Sequence, residues 1–130
     1  MKSISTAWLS AAYDDLVLIK EIIRNETLTH MVAFHAQQAI EKSFKALLEE
    51  RDGIVPRIHT LETLLARITK YVVIDAELDL LDDLDKLYVD ARYPADFGLL
   101  PDGKPTVEEA IAFNELAIYI HNKIKTVLLQ

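Results

Sequence analysis

The residues that interrupt helices are gathered in two places. All three glycines (Gly53, Gly98, Gly103) and all four prolines (Pro56, Pro94, Pro101, Pro105) fall within the stretches 53–56 and 94–105. Proline removes a backbone donor and clashes with the preceding turn, while glycine costs about 1 kcal/mol in a helix interior. Both stretches therefore read as connections, and the rest of the chain is free to be helical. Apolar spacing says that it is. Leu9, Ala12, Leu16, Ile19 and Ile23 step by three and four, as one buried helical stripe requires. Ala33, Ala36, Ile40, Phe44 and Leu47 repeat the step in a second helix. Leu61, Leu64, Leu65 and Ile68 mark a short third helix with Thr60 as its N-cap. Leu80, Leu84, Leu87 and Ala91 mark a fourth, with Asp75 near its start. A last helix opens on Pro105, Thr106 and Glu109, a capping-box spacing, and carries the stripe Phe113, Ala117, Ile120, Ile124 and Val127. No run alternates with period two for long enough to make a strand. The expected fold is all-α: an up-and-down antiparallel bundle of four long helices plus one short helix, forming a single domain over 1–130. The 94–105 connection is long for a bundle, and loops of that kind are functional or mobile.

Composition narrows the class. At 130 residues and 51% hydrophobic content the chain can bury a core of its own. Lys and Arg total 14 against 21 Asp and Glu, a net charge of −7, which argues against an extended nucleic-acid-binding surface but leaves room for a small basic pocket. The absence of cysteine removes disulfides, thiolate zinc sites and thiol nucleophiles. Asp14 and Asp15 interrupt any signal-peptide core near the N-terminus, and no stretch reaches the roughly 18 apolar residues of a membrane span. A soluble, cytoplasmic domain without membrane association is expected.

The second helix carries the most suggestive polar pattern. At 100° per residue, His35, Gln38, Glu41, Lys42, Lys45 and Glu49 share one arc opposite the apolar stripe. Ala39, Ser43 and Ala46 lie between, small enough to let another helix approach. Two readings of the arc stand side by side. It is a solvated face with Glu–Lys pairs at helical spacing, or Lys42 and Lys45 form a small anion site against another element. On the fourth helix, Asp79, Asp82, Asp83, Lys86 and Asp90 make an outward acidic face. Arg92 stands apart, one turn beyond Tyr88 and two beyond Asp85, just before Tyr93-Pro94. A proline disfavours helical geometry in the residue before it, so the helix ends there. Arg92 is then placed either to grip a carboxylate or phosphate or to pair with Asp85. His59 precedes the third helix, whose free N–H groups are suited to an anion. His30 and His121 read as helix-surface residues. No two histidines have metal-pair spacing, no glycine-rich phosphate loop or nucleophile elbow is present, and neither a metal nor a cofactor is expected.

The segment from Phe34 through His35, Gln38, Glu41, Lys42, Phe44 and Lys45 to Leu48 resembles the signature helix of HEPN domains (higher eukaryotes and prokaryotes nucleotide-binding). Trp8, Ala12 and Asp15-Leu16 before it, and His59-Thr60-Leu61 and Tyr88 through Ala91-Arg92-Tyr93-Pro94 after it, resemble the family's remaining pieces in its order. The resemblance spans nearly the whole chain.

The resemblance implies a helical bundle, commonly a homodimer, often encoded beside a minimal nucleotidyltransferase with which it associates. Many relatives are RNases whose active site is an Arg and a His separated by four to six residues. Arg92 matches the Arg of that motif, but the window after it holds Phe97, Gly98 and Leu99, and no histidine. Arg24 and His30 have the spacing at a different place in the family pattern. Histidine is the natural proton carrier for transphosphorylation near neutral pH, so the departure counts against catalysis. The expected function is a HEPN binding module that takes a nucleotide or an RNA phosphate through Gln38, Lys42, Lys45, His59, Arg92 and Tyr93. The first alternative is a toxin-like endoribonuclease with a degenerate Arg/His motif, as in a toxin–antitoxin pair. The second is a structural dimerisation subunit with no ligand.

Overall fold

A computed structural model describes the backbone of residues 1–91 and 103–130, and their side chains except those of residues 89–91. Among the described residues there are five α-helices: α1 (Ser3–Ile22), α2 (Thr29–Asp52), α3 (Leu61–Ile68), α4 (Leu78–Ala91) and α5 (Val107–Leu128). A 3₁₀ turn at Glu26–Leu28 joins α1 to α2, and Asn25 opens it by accepting the Thr27 N–H at 3.0 Å. Contacts between helices give their directions. Along α1 and α2, Lys2 meets Glu50, Trp8 meets Lys45, and Asp15 meets Lys42 and His35. Partner numbers fall as residue numbers rise, so the two helices are antiparallel. Phe34 stacks on Tyr88 and Gln37 reaches Asp85, which makes α4 antiparallel to α2 as well. Lys104 bonds the Thr27 carbonyl, and Arg51 reaches the Val127 carbonyl. The final helix therefore runs parallel to α2, as an up-and-down order of the four long helices requires.

Helix α2 sits at the centre, packed against each of the other four, and 14 of its 24 residues are buried. Its alanines at 33, 36, 39 and 46, with Ser43, are fully covered. Small side chains let neighbouring backbones close in, and Ile40, Phe44 and Leu47 fill the space between them. The stripes expected on α3 and α5 are buried, with Val127 partly so. On α4 the fully buried residues are Leu81 and Leu84, while Leu80 and Leu87 pack at the core's edge. The acidic face of α4 is outward: Asp79, Asp83 and Lys86 are exposed, and Lys86 pairs with the half-buried Asp82 at 3.1 Å.

The helix ends obey local chemistry at two places and tertiary chemistry at a third. Gly53 closes α2 at φ 72°, a left-handed conformation that a Cβ would strain, and its N–H bonds the Glu49 carbonyl. At α5, Thr106 Oγ1 accepts the Glu109 N–H at 3.1 Å while Glu109 Oε1 accepts the Thr106 N–H at 3.0 Å, the full capping box. The Thr60 side chain, in contrast, makes no capping bond at α3. Asp85 of α4 takes that role across space, accepting the Leu61 N–H at 2.9 and 3.1 Å. Burial pushes the Asp85 carboxyl above the usual range, against the pull of the Leu61 N–H and the Gln37 amide. Hence Thr60→Ala is expected to change stability by less than about 0.5 kcal/mol, and Asp85→Ala to remove about 1–2 kcal/mol, in denaturant unfolding. Equal effects of the two substitutions would contradict the assignment of the cap.

Candidate functional site

Two carboxylates in the seam around α2 organise the site. Asp15, on α1, falls three residues after Ala12 and four before Ile19, so it shares their buried stripe. One of its oxygens meets His35 Nδ1 at 2.8 Å and the other accepts from Lys42 Nζ at 2.8 Å. Glu41, only 5% exposed, repeats the arrangement one turn along. Its Oε1 meets His59 Nδ1 at 3.2 Å and its Oε2 accepts from Lys45 Nζ at 3.3 Å. Lys45 is 4% exposed, and Trp8 of α1 lies over its ammonium at 5.6 Å from the ring centre. Gln37 braces this second cluster by donating to the His59 carbonyl at 3.0 Å, and Gln38 donates to Gln37 Oε1 at 2.8 Å.

An ionised carboxylate only accepts hydrogen bonds. The Nδ1 atoms of His35 and His59 must therefore carry the protons that face Asp15 and Glu41, leaving each Nε2 turned away. The 3.5 Å approach of Lys45 Nζ to His59 Nδ1 is two donors converging on one carboxylate. With one carboxylate and one ammonium apiece, each cluster is neutral while its imidazole is neutral.

The solvated-arc reading of α2 is corrected here. Glu41 and Lys45 are core residues, because α1, α3, α4 and α5 together enclose most of the helix circumference. His121 is corrected too: it lies 4% exposed between α5 and α1, facing Tyr13 with ring centres 6.1 Å apart. Burial depresses its basicity, with Lys125 adding to that effect and the Leu9 backbone opposing it. His30 is part-buried, and burial, then Lys104, lowers it as well. The open α3 N-terminus expected beside His59 is also altered, since Asp85 already occupies the Leu61 N–H.

Of the six expected ligand-binding residues, Gln38, Lys45 and His59 come together at the junction of α2 and α3. Lys42 belongs to the adjoining Asp15 cluster. Arg92 and Tyr93 lie outside the described residues. Asp15, Gln37 and Asp85 were not among the expected six, although the place of Asp15 on an apolar stripe marks it as a residue needing a buried partner. Among the described residues no group of three His, Asp or Glu is placed to hold a metal, and no helix is long and apolar enough to cross a membrane.

These features define a small all-α module built around one charge-bearing central helix. The HEPN domain family model matches residues 5–126, and the chain belongs to that family. Among solved structures, the crystal structure of TT1696 from Thermus thermophilus is similar, with a TM-score of 0.76 and 28% identity over 97% of this chain and 99% of that one. A search of curated proteins gave no significant match.

Buried ion pairs add little net stability, but stripping one partner leaves an uncompensated charge. Glu41→Ala is therefore expected to cost about 3–5 kcal/mol in equilibrium unfolding, and Glu41→Met combined with Lys45→Met to recover most of it. A double variant as unstable as the single one would show that the pair is not the source of the loss.

Proposed function

We propose that this HEPN domain is a non-catalytic binding module that holds a nucleotide or an RNA phosphate, acts as a homodimer and works with a minimal nucleotidyltransferase. The observation that supports binding is the pair of carboxylate-bridged clusters. They set Lys42 and Lys45 as fixed positive charges behind Gln38 and His59, whose side chain is 49% exposed. Arg92 and Tyr93 complete the proposed set, Arg92 as the charge-assisted donor to phosphate. The nucleotidyltransferase partner rests on the family resemblance alone. Co-purification from the native source tests it, and recovery of the homodimer alone would count against it.

The dimer surface we assign is the outer side of α1. Ile4 and Leu18 are 52% and 41% exposed, and each lies seven residues from Ala11. A two-fold axis at Ala11 would set antiparallel copies of α1 together, Ile4 of one protomer against Leu18 of the partner subunit, with Ala7 and Ala11 permitting close approach. Sedimentation equilibrium is expected to give a dimer at roughly tens of micromolar, a range in which a modest interface still associates. Leu18→Asp is expected to shift it to monomer. A wild-type monomer at that concentration would refute the dimer.

Calorimetry tests the ligand. Adenine nucleotides are expected to bind weakly, and more weakly as salt rises. Arg92→Ala is expected to weaken them by about 1.5–3 kcal/mol, the range of a charge-assisted hydrogen bond. No heat from any mononucleotide at millimolar concentration would leave only a structural role.

Endoribonuclease activity is the second reading, and the bond from His59 to Glu41 favours it, because a carboxylate-held imidazole is the usual form of a positioned proton carrier. Arg92 stays protonated and stabilises charge without shuttling protons. The purified protein alone is expected to leave single-stranded RNA intact. Cleavage lost in both Arg92→Ala and His59→Ala would promote this reading.

A further inference from the structure

We propose that anion binding at the α2–α3 junction is coupled to proton uptake by His59, whose outward Nε2–H, present only on the protonated ring, adds a donor to phosphate. The inference rests on the nucleotide-binding reading above and adds how that site is switched.

The argument is one of donor accounting. Glu41 Oε1 accepts a hydrogen bond from the Nδ1–H of His59. A neutral imidazole has one proton, so its Nε2 then presents a lone pair, which repels a phosphate oxygen. Lys45 cannot answer instead. Its Nζ is buried, bonded to Glu41 Oε2 and covered by Trp8. Lys42 is committed to Asp15 at 2.8 Å, and the Leu61 N–H to Asp85. Among the described residues, Lys45 and the Leu61 N–H are thus engaged by internal carboxylates, and the Lys42 charge is balanced by Asp15. A second proton on His59 changes both terms together. It turns Nε2 from acceptor to donor, and it takes the cluster of Glu41, Lys45 and His59 from neutral to a charge of +1.

Other charged groups bearing on His59 are Glu41 and Lys45 from α2, and Asp85 from α4 on the adjoining Leu61 amide. Trp8 from α1 contributes no charge. His35 has a matching bond to Asp15, but its side chain is 17% exposed against 49% for His59, so His59 is the ring within reach of a ligand.

The test uses the dinucleoside monophosphate ApA, because its one phosphodiester charge stays constant across the pH range, whereas a phosphomonoester titrates near pH 6. Affinity is measured by calorimetry for the full chain and for His59→Gln and His35→Gln. In the wild type it is expected to fall about tenfold or more from about pH 5.5 to about pH 8, the interval over which an imidazole loses its proton. His35→Gln is expected to keep that fall. His59→Gln, whose amide donates at every pH, is expected to bind with no pH dependence, and its thermal unfolding is expected to stay close to the wild type because one amide N–H can replace the Nδ1 donor to Glu41 while Gln37 still bonds the backbone of residue 59. Binding that is flat with pH in the wild type, or a fall that survives in His59→Gln, would overturn the coupling while leaving nucleotide binding intact. No binding at any pH would overturn both.

Discussion

A carboxylate removed from water must find its donors inside the protein, and in this molecule two such carboxylates tie α1 and the entry of α3 to the central helix α2. Asp15 joins α1 to α2 through His35 and Lys42, and Glu41 joins α2 to the entry of α3 through His59. Apolar packing alone would tolerate a slip of one helix along another. A slip here would strand a buried charge, and that cost sets the register of α1 on α2. At the far end of the same pair, Lys2 donates its backbone N–H to Glu50 at 2.6 Å and its Nζ to the Glu49 carbonyl. Asp85 applies the same logic to α4, spending a part-buried carboxylate on the first amide of α3.

Local rules made much of this bundle legible. Gly53 marked the end of α2 and Pro105 the approach to α5, steps of three and four named most of the core, and Thr106 with Glu109 announced the capping box. Each of those signals lies within a few residues of what it governs. Thr60 misleads for the opposite reason: its sequence is that of a cap, but a residue 25 positions later does the capping. Glu41 and Lys45 mislead because helical-wheel reasoning sees a single helix and assigns polar arcs to water. Helix α2 has neighbours on nearly every side, so Glu41 and Lys45 of its polar arc are buried and His35, Gln38, Lys42 and Glu49 are part-buried. The same holds for His121, which faces α1 from α5. In a bundle with a central helix, a polar arc marks either solvent or a buried network, and only the packing distinguishes them.

The arrangement also changes what the lysines signify. Read along the sequence, Lys42 and Lys45 are two positive charges at helical spacing. In the fold each is balanced by a carboxylate within 3.3 Å. With a net charge of −7 over the chain, long-range attraction of anions is weak, and recognition falls to short-range hydrogen bonds whose donors are not already taken. The protonation state of two imidazoles then becomes the variable that matters most.

That state is directly observable. A long-range ¹H–¹⁵N correlation spectrum of the histidine rings, recorded above the pH at which imidazoles titrate, distinguishes a proton on Nδ1 from one on Nε2. His35 and His59 are predicted to show the Nδ1–H form, held by Asp15 and Glu41, and Glu41→Gln is predicted to release His59 from that constraint. An Nε2–H form at His35 and His59 in the wild type would contradict the carboxylate-anchored network on which this account of the molecule stands.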